Sequence, residues 1–115
     1  MPVLGIDEAV AHVSRVRADG GRVVFTNGVF DLLHPGHLRY LQQSRGLGHA
    51  LVVGVNSDGS VRAIKGDGRP VTPERERAEM LSALSCVDVV VLFDDDTPYA
   101  LIARLQPDVL VKVAD

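Results

Sequence analysis

What most constrains this chain is an alternation of hydrophobic periods. Four runs rich in β-branched or aromatic residues, at 22–26, 50–55, 87–93 and 109–113, are separated by stretches in which apolar residues recur every three or four positions. The runs read as strands and the stretches between them as helices. The run at 50–55, Ala-Leu-Val-Val-Gly-Val, is apolar throughout, as a strand covered on both faces is. Strands alternating with helices pair in parallel through right-handed crossovers, which puts helices on both faces of one sheet. The expected class is α/β with a parallel sheet.

Punctuation supports this division. A first helix is expected at about 7–18, with Val10, Val13 and Val16 at helical spacing and Asp19-Gly20-Gly21 as its stop. Asn27-Gly28 should break the first strand. Pro35 suits a first helical turn, and the helix it opens runs to about Arg45, before Gly46-Leu47-Gly48. The glycine-rich, charged stretch 56–70 reads as a loop with a short helical turn near 60–64. Thr72 as N-cap and Pro73 at the first helical position open the next helix, whose stripe is Ala78, Leu81 and Leu84. Asp96 or Thr97 caps a last helix to about Leu105.

With 115 residues, 46% of them hydrophobic, the chain suits one domain that buries roughly two thirds of its unfolded surface. A net charge of −3 offers no basic face for nucleic acid. No apolar run is long enough to span a bilayer, and the N-terminus lacks the basic-then-apolar pattern of a signal peptide. No membrane partner is expected, and a cytoplasmic location follows by default. Cys86 is the one cysteine, which excludes an internal disulfide. In its apolar surroundings it reads as a small packed side chain rather than a reactive thiol.

In α/β sheets ligands bind beyond the carboxyl ends of the strands, where the strand order reverses. The run Thr26-Asn27-Gly28-Val29-Phe30-Asp31-Leu32-Leu33-His34-Pro35-Gly36-His37 begins at the end of the first strand and enters the next helix. Gly28 permits close backbone approach. Pro35 and Gly36 open a helix whose free N–H groups and dipole favour phosphate. His34 and His37, three apart, share a face there and can both donate to phosphate oxygens. Two other readings are a histidine pair ligating a transition metal, for which no third ligand is evident, and a pair of capping or surface histidines. Asp94, Asp95 and Asp96 read as a solvated, helix-capping turn rather than a metal cluster.

His34-Pro35-Gly36-His37 resembles the His-x-Gly-His signature of the cytidylyltransferase-like nucleotidyltransferases. The longer run from Thr26 to His37 resembles the adenylyltransferase branch of bacterial ADP-heptose synthases. The likeness covers nearly the whole chain. Leu51 to Asp58 is similar to the family's second strand and turn, and 65–71, Lys-Gly-Asp-Gly-Arg-Pro-Val, to its Lys-Gly-x-x-Arg-Pro-Val loop. Arg77 with Leu81 and Leu84, Asp96-Thr97-Pro98 and the segment 107–112 match later parts. Val113-Ala114-Asp115 departs from the family's Gly-Gly-Asp. The family then continues into a strand and a nucleotide-contacting helix, a C-terminal segment expected to be missing here.

The resemblance implies a Rossmann-like three-layer sandwich. It implies a single nucleotidyltransferase domain over 1–115, with the helix at 7–18 preceding a catalytic core at about 22–115. His34, His37 and Lys65 would be catalytic. Thr26, Asn27, Gly28, Val29, Phe30, His34, Gly36 and His37 would bind the nucleotide. Asp31, Asn56, Lys65, Arg69, Arg77 and Lys112 would contact phosphate or acceptor, with Asp31 a loop anchor rather than a base. For Arg77 a phosphate contact and a helix-surface ion pair stand level. The implied reaction moves a nucleotidyl group from a nucleoside triphosphate, ATP before CTP, to D-glycero-D-manno-heptose 1-phosphate, releasing pyrophosphate. Mg2+ would come with the nucleotide and not from protein ligands. The alternatives are a glycerol-3-phosphate cytidylyltransferase, an FAD-synthase-like adenylyltransferase and a non-catalytic nucleotide-binding module. A homodimer and a fused or linked sugar kinase are the implied partners. Without the C-terminal segment, modest affinity and slow turnover are expected.

Overall fold

The computed structural model of the chain describes residues 3–112. Helix α1 (Ile6–Ala18) precedes strand β1 (Val23–Gly28), helix α2 (Pro35–Arg45) and strand β2 (Ala50–Asn56). Helices α3 (Asp58–Lys65) and α4 (Glu74–Ser82) then lead to strand β3 (Val89–Phe93), helix α5 (Tyr99–Leu105) and strand β4 (Val109–Val111). The strands form one parallel sheet in the order β3-β2-β1-β4. The last residues of the fourth predicted strand, and the Val113-Ala114-Asp115 departure, lie outside the described residues.

Period-2 alternation along each strand divides the core in two. Val23 and Phe25 of β1, Val52 of β2, and Val89 and Val91 of β3 face Ala9 and Val13 of α1 and Leu101 and Leu105 of α5. Val24, Leu51, Val53, Val55 and Val90 face the other way, against Leu41 of α2 and Ala78 and Leu81 of α4. The crossovers β1-α2-β2 and β2-α4-β3 advance in one direction across the sheet. The crossover through α5 goes back past β1 to its far side. Because every such crossover is right-handed, reversing direction also moves the helix to the opposite face. The strand order therefore reverses between β1 and β4, and a crevice opens beyond their carboxyl ends.

Two aspartates set the register of the sheet. Asp88, just before β3, accepts from Leu51 N at 2.7 Å and donates its own N–H to Leu51 O at 3.0 Å. Asp108, just before β4, does the same to Val23, at 2.7 and 2.8 Å. Each carboxylate satisfies an N–H at the start of a neighbouring strand, and each lies beside an arginine, Arg45 and Arg17 respectively.

Three local expectations are corrected. Asn27 and Gly28 do not break β1; they pair with Gly54 and Val55 of β2, because a fully buried neighbour offers partners that outweigh weak strand propensity. The stretch 56–70 is not mainly loop. Ser57 caps α3 by accepting from Ser60 N at 3.2 Å, and the helix buries Val61. It ends at Gly66, whose φ of 97° suits glycine. At α4 the cap residue is Pro73, not Thr72. The Thr72 N–H is drawn to Asp31 instead, at 2.8 Å.

Candidate active site

The site is assembled at the carboxyl end of β1. After Gly28 the chain must turn sharply into α2, and Phe30 takes the left-handed conformation, φ 52°, to do so. That is rare for a large side chain and marks a segment held by its surroundings. The Phe30 ring is buried and lies where a Cβ on Gly28 would meet it at 3.0 Å. Gly28 is thus favoured by the loop's own packing, before any ligand approaches.

Asp31 fixes the far side of the turn. Its carboxylate accepts from Val71 N at 2.9 Å, Thr72 N at 2.8 Å and Arg69 Nη1 at 3.0 Å. Burial pushes the Asp31 carboxyl up, but the N–H groups of Thr72 and Val71 and the Arg69 guanidinium together bring it below its ordinary value of 3.8. A carboxylate so engaged anchors the 69–72 segment over the turn.

His34 is the N-cap of α2. Its Nδ1 accepts from Gly36 N at 3.1 Å, while His34 N donates to His37 Nδ1 at 3.2 Å. An imidazole nitrogen that accepts carries no proton, so each neutral ring holds its hydrogen on Nε2. The rings lie against each other, centroids 3.9 Å apart, and the Phe30 ring meets His37 edge-on at 5.6 Å. A Cβ on Gly36 would come within 2.8 Å of the His34 ring. The glycine between the histidines therefore has a steric cause, the folding of His34 back over the helix start. This corrects the expectation of free N–H groups there. Gly36 N is taken by His34, and His37 N and Leu38 N by His34 O at 2.9 and 3.4 Å. The backbone N–H groups of the first turn are engaged, so a donor offered to a ligand there has to come from a side chain.

These residues line a cavity of about 560 Å3 together with Val29, Leu32, Tyr40, Lys65 and Arg69. A second, of about 420 Å3, is lined by Asn27, Gly28, Val29, Asn56, Ile64, Lys65 and Lys112. Val29 and Lys65 belong to both, so the two adjoin. Both volumes suit a small ligand. Lys65 is exposed and ends α3, where a lysine also complements the helix dipole; it is not in a glycine loop, as expected from sequence.

Two predicted contacts fall elsewhere. Thr26 is fully buried and lines neither cavity; its hydroxyl is hydrogen-bonded to Tyr40 and to Val111 O. Arg77 is fully buried, neither on the helix surface nor open to phosphate. Its Nη1 donates to Val29 O at 2.8 Å and Asn56 O at 2.7 Å, its Nε to Thr72 O at 2.8 Å, and its Nη2 pairs with Asp58 at 2.8 Å. It joins the ends of β1 and β2 to the loops above them. Tyr40 was not foreseen in the cavity; its signal was its place three residues after His37 on one helix face. Asp94, Asp95 and Asp96 are exposed, and among the described residues no group of three or more His, Cys, Asp or Glu could hold a metal ion. Cys86 is half-buried, and desolvation pushes its thiol up, consistent with packing. No helix among the described residues is long and apolar enough to cross a membrane.

A parallel α/β sheet with a paired-histidine helix start beside its switch point defines a Rossmann-like nucleotidyltransferase. Residues 25–115 match the cytidylyltransferase-like family, and the chain belongs to it. It is 57% identical over 109 residues to the bifunctional protein HldE of Citrifermentans bemidjiense, covering 94% of this chain and 22% of that protein. To HldE of Helicobacter pylori strain P12 it is 58% identical over 97 residues, covering 84% and 21%. The chain thus spans about a fifth of the length of these curated relatives. The crystal structure of the lipopolysaccharide core biosynthesis protein from Thermoplasma volcanium GSS1 superposes with a TM-score of 0.71 at 35% identity, over 79% of this chain and 73% of that one.

Proposed function

We propose that the chain transfers an adenylyl group from ATP to a sugar 1-phosphate, D-glycero-D-manno-heptose 1-phosphate, and releases pyrophosphate. The observation that carries this reading is the pair of adjacent imidazoles at the start of α2, centroids 3.9 Å apart and planes tilted by 34°, each with Nδ1 accepting from a backbone N–H, which leaves Nε2 to bear the proton of a neutral ring. Nucleotidyl transfer needs positioning and charge stabilisation more than covalent catalysis by the protein. An oxygen of the acceptor phosphate attacks the α-phosphorus in line. The new O–P bond forms as the bond to the β-phosphate bridge breaks, and the electron pair leaves with pyrophosphate. His34 and His37 donate to the oxygens on which charge grows, and Lys65 and Arg69 approach the phosphates from the opposite wall. The nucleophile is already an anion, so no general base is required, and Asp31 stays an anchor. Mg2+ bound to the triphosphate oxygens, which suit it as ligands, would neutralise part of their charge.

The choice of acceptor is supported by the relatives' names, a bifunctional HldE and a lipopolysaccharide core biosynthesis protein. From the resemblance of the sequence we place the catalytic core at about 22–115 and link it to a sugar kinase activity, a reading that the word bifunctional in the relatives' name supports. Pyrophosphate release with ATP and with CTP, against a panel of sugar 1-phosphates and glycerol 3-phosphate, tests the proposal. ATP with the heptose phosphate should react fastest. Preference for CTP and glycerol 3-phosphate would overturn the assignment of substrates. Nucleotide binding without pyrophosphate release would overturn the assignment of activity.

A further inference from the structure

A part-buried polar relay, centred on the fully buried Thr26, runs across the sheet between the two walls of the site. Thr26 Oγ1 donates to Val111 O of β4 at 2.9 Å and is bonded on its other side to the Tyr40 hydroxyl. A threonine hydroxyl has one hydrogen, here given to Val111. Tyr40 is therefore the donor and Thr26 the acceptor in the second bond. Tyr40 lies three residues after His37 on α2 and lines the same cavity. Val111 immediately precedes Lys112, which lines the adjoining one. The relay crosses β1 at Thr26, where the sheet order reverses.

We propose that this relay sets the separation between the start of α2 and the end of β4, and that Tyr40 and Thr26 are positioning residues for nucleotidyl transfer. The proposal rests on the reading of His37 as a donor to the reacting phosphate. The core contacts of α2, made by Leu41 with the apolar residues of its cluster, are non-directional, so they resist separation more than sliding or rotation. A hydrogen bond to a group held inside the sheet is directional and fixes both. The valine that most neighbouring strand positions carry would fill the site of Thr26 but make neither bond. With the relay intact, a helix that carries one wall is tied through β1 to the strand that carries the other.

The test uses Tyr40→Phe, Thr26→Val and the double variant, with two measurements. Imidazole nitrogen NMR of the ligand-free chain reads the surroundings of His37, with His12 and His49, which line neither cavity, as internal references. Steady-state pyrophosphate release reads kcat and the KM for ATP. Each single variant should move the His37 signals and leave His12 and His49 in place. Each should lower kcat about tenfold, since misplacement near 1 Å can cost more, with KM nearly unchanged. The double variant should be no worse than the worse single, because both changes break one relay. Unfolding midpoints should fall by about 5 °C, so both measurements are made well below them. Unmoved His37 signals, or an unchanged kcat, in Tyr40→Phe would overturn the relay. Failure of the unsubstituted chain to release pyrophosphate would overturn the nucleotidyl-transfer reading instead, and the imidazole spectra would then decide the relay alone.

Discussion

Replacing His37 by alanine removes one preorganised donor from the start of α2 and leaves the apolar core intact. Turnover should fall about a hundredfold, as when one oxyanion donor is lost elsewhere, while loss of the bond from His34 N lowers the unfolding midpoint by about 5 °C, so turnover is read well below it. Near-normal turnover would dismiss the role. Asp31 makes the opposite kind of prediction. Its folded-state value lies below 3.8, so it contributes stability that is fully present above that value and is lost as pH falls through the folded one. The margin of the parent chain over Asp31→Asn should be constant at neutral pH and shrink in acid. Urea unfolding of both chains across pH 2 to 7, about the range of carboxylate titration, checks this. A margin that grows in acid would contradict it. At this scale the sequence brought out the residues proposed to carry chemistry but not all their partners. His34 and His37 were legible as candidate donors because their spacing on a helix is local. That Gly36 N is already taken by His34 depends on a side-chain rotamer, which spacing does not determine.

Arg77 shows what is decided between elements. One guanidinium serves carbonyls from the ends of β1 and β2 and the loop before α4, and pairs with Asp58 at the start of α3. Arg77→Leu leaves these acceptors and the Asp58 charge without their partner. It should destabilise the chain by about 3–5 kcal/mol, as removing one member of a buried pair does. Arg77→Lys should recover only part, since an ammonium lacks the planar fork. A loss under about 1 kcal/mol, typical of surface pairs, would show that Arg77 is dispensable. Lys65, exposed at the end of α3, should behave differently: Lys65→Met lowers turnover and leaves the unfolding transition in place. An equal loss of both would make it structural. The sequence left Arg77 undecided between ligand and surface because its helical phase is readable, while the loops that close over it come from distant parts of the chain. It read α3 only as a short turn near 60–64, because Gly59 and the flanking charges hide a helix that depends on the Ser57 cap and on burial of Val61.

The whole molecule is held by close stacking of three layers, and Gly54 shows how close. A Cβ there would meet Phe25 at 2.9 Å and Leu101 of α5 at 3.2 Å. Gly54→Ala should cost about 1–3 kcal/mol through overpacking, read by chemical unfolding, although alanine is the better strand former. An unchanged or raised stability would mean that α5 can move outward freely. The reversal of strand order at β1 is the other global feature. It places Lys112 across from the loop that leads to α2, and so creates the second cavity.

The sequence by itself determined the α/β class, the parallel sheet, most strand and helix positions and the histidine pair. Those depend on hydrophobic period and local turn chemistry, which act over a few residues. The extension of β1 through Gly28, the full extent of the helix at 58–65, the burial of Arg77 and Thr26, and the adjoining cavities were decided only by the tertiary structure. Each depends on groups far apart in the chain meeting in a dry interior, where a buried polar atom must find a partner. Which partner is within reach is fixed by strand order and layer stacking, and no local pattern encodes either.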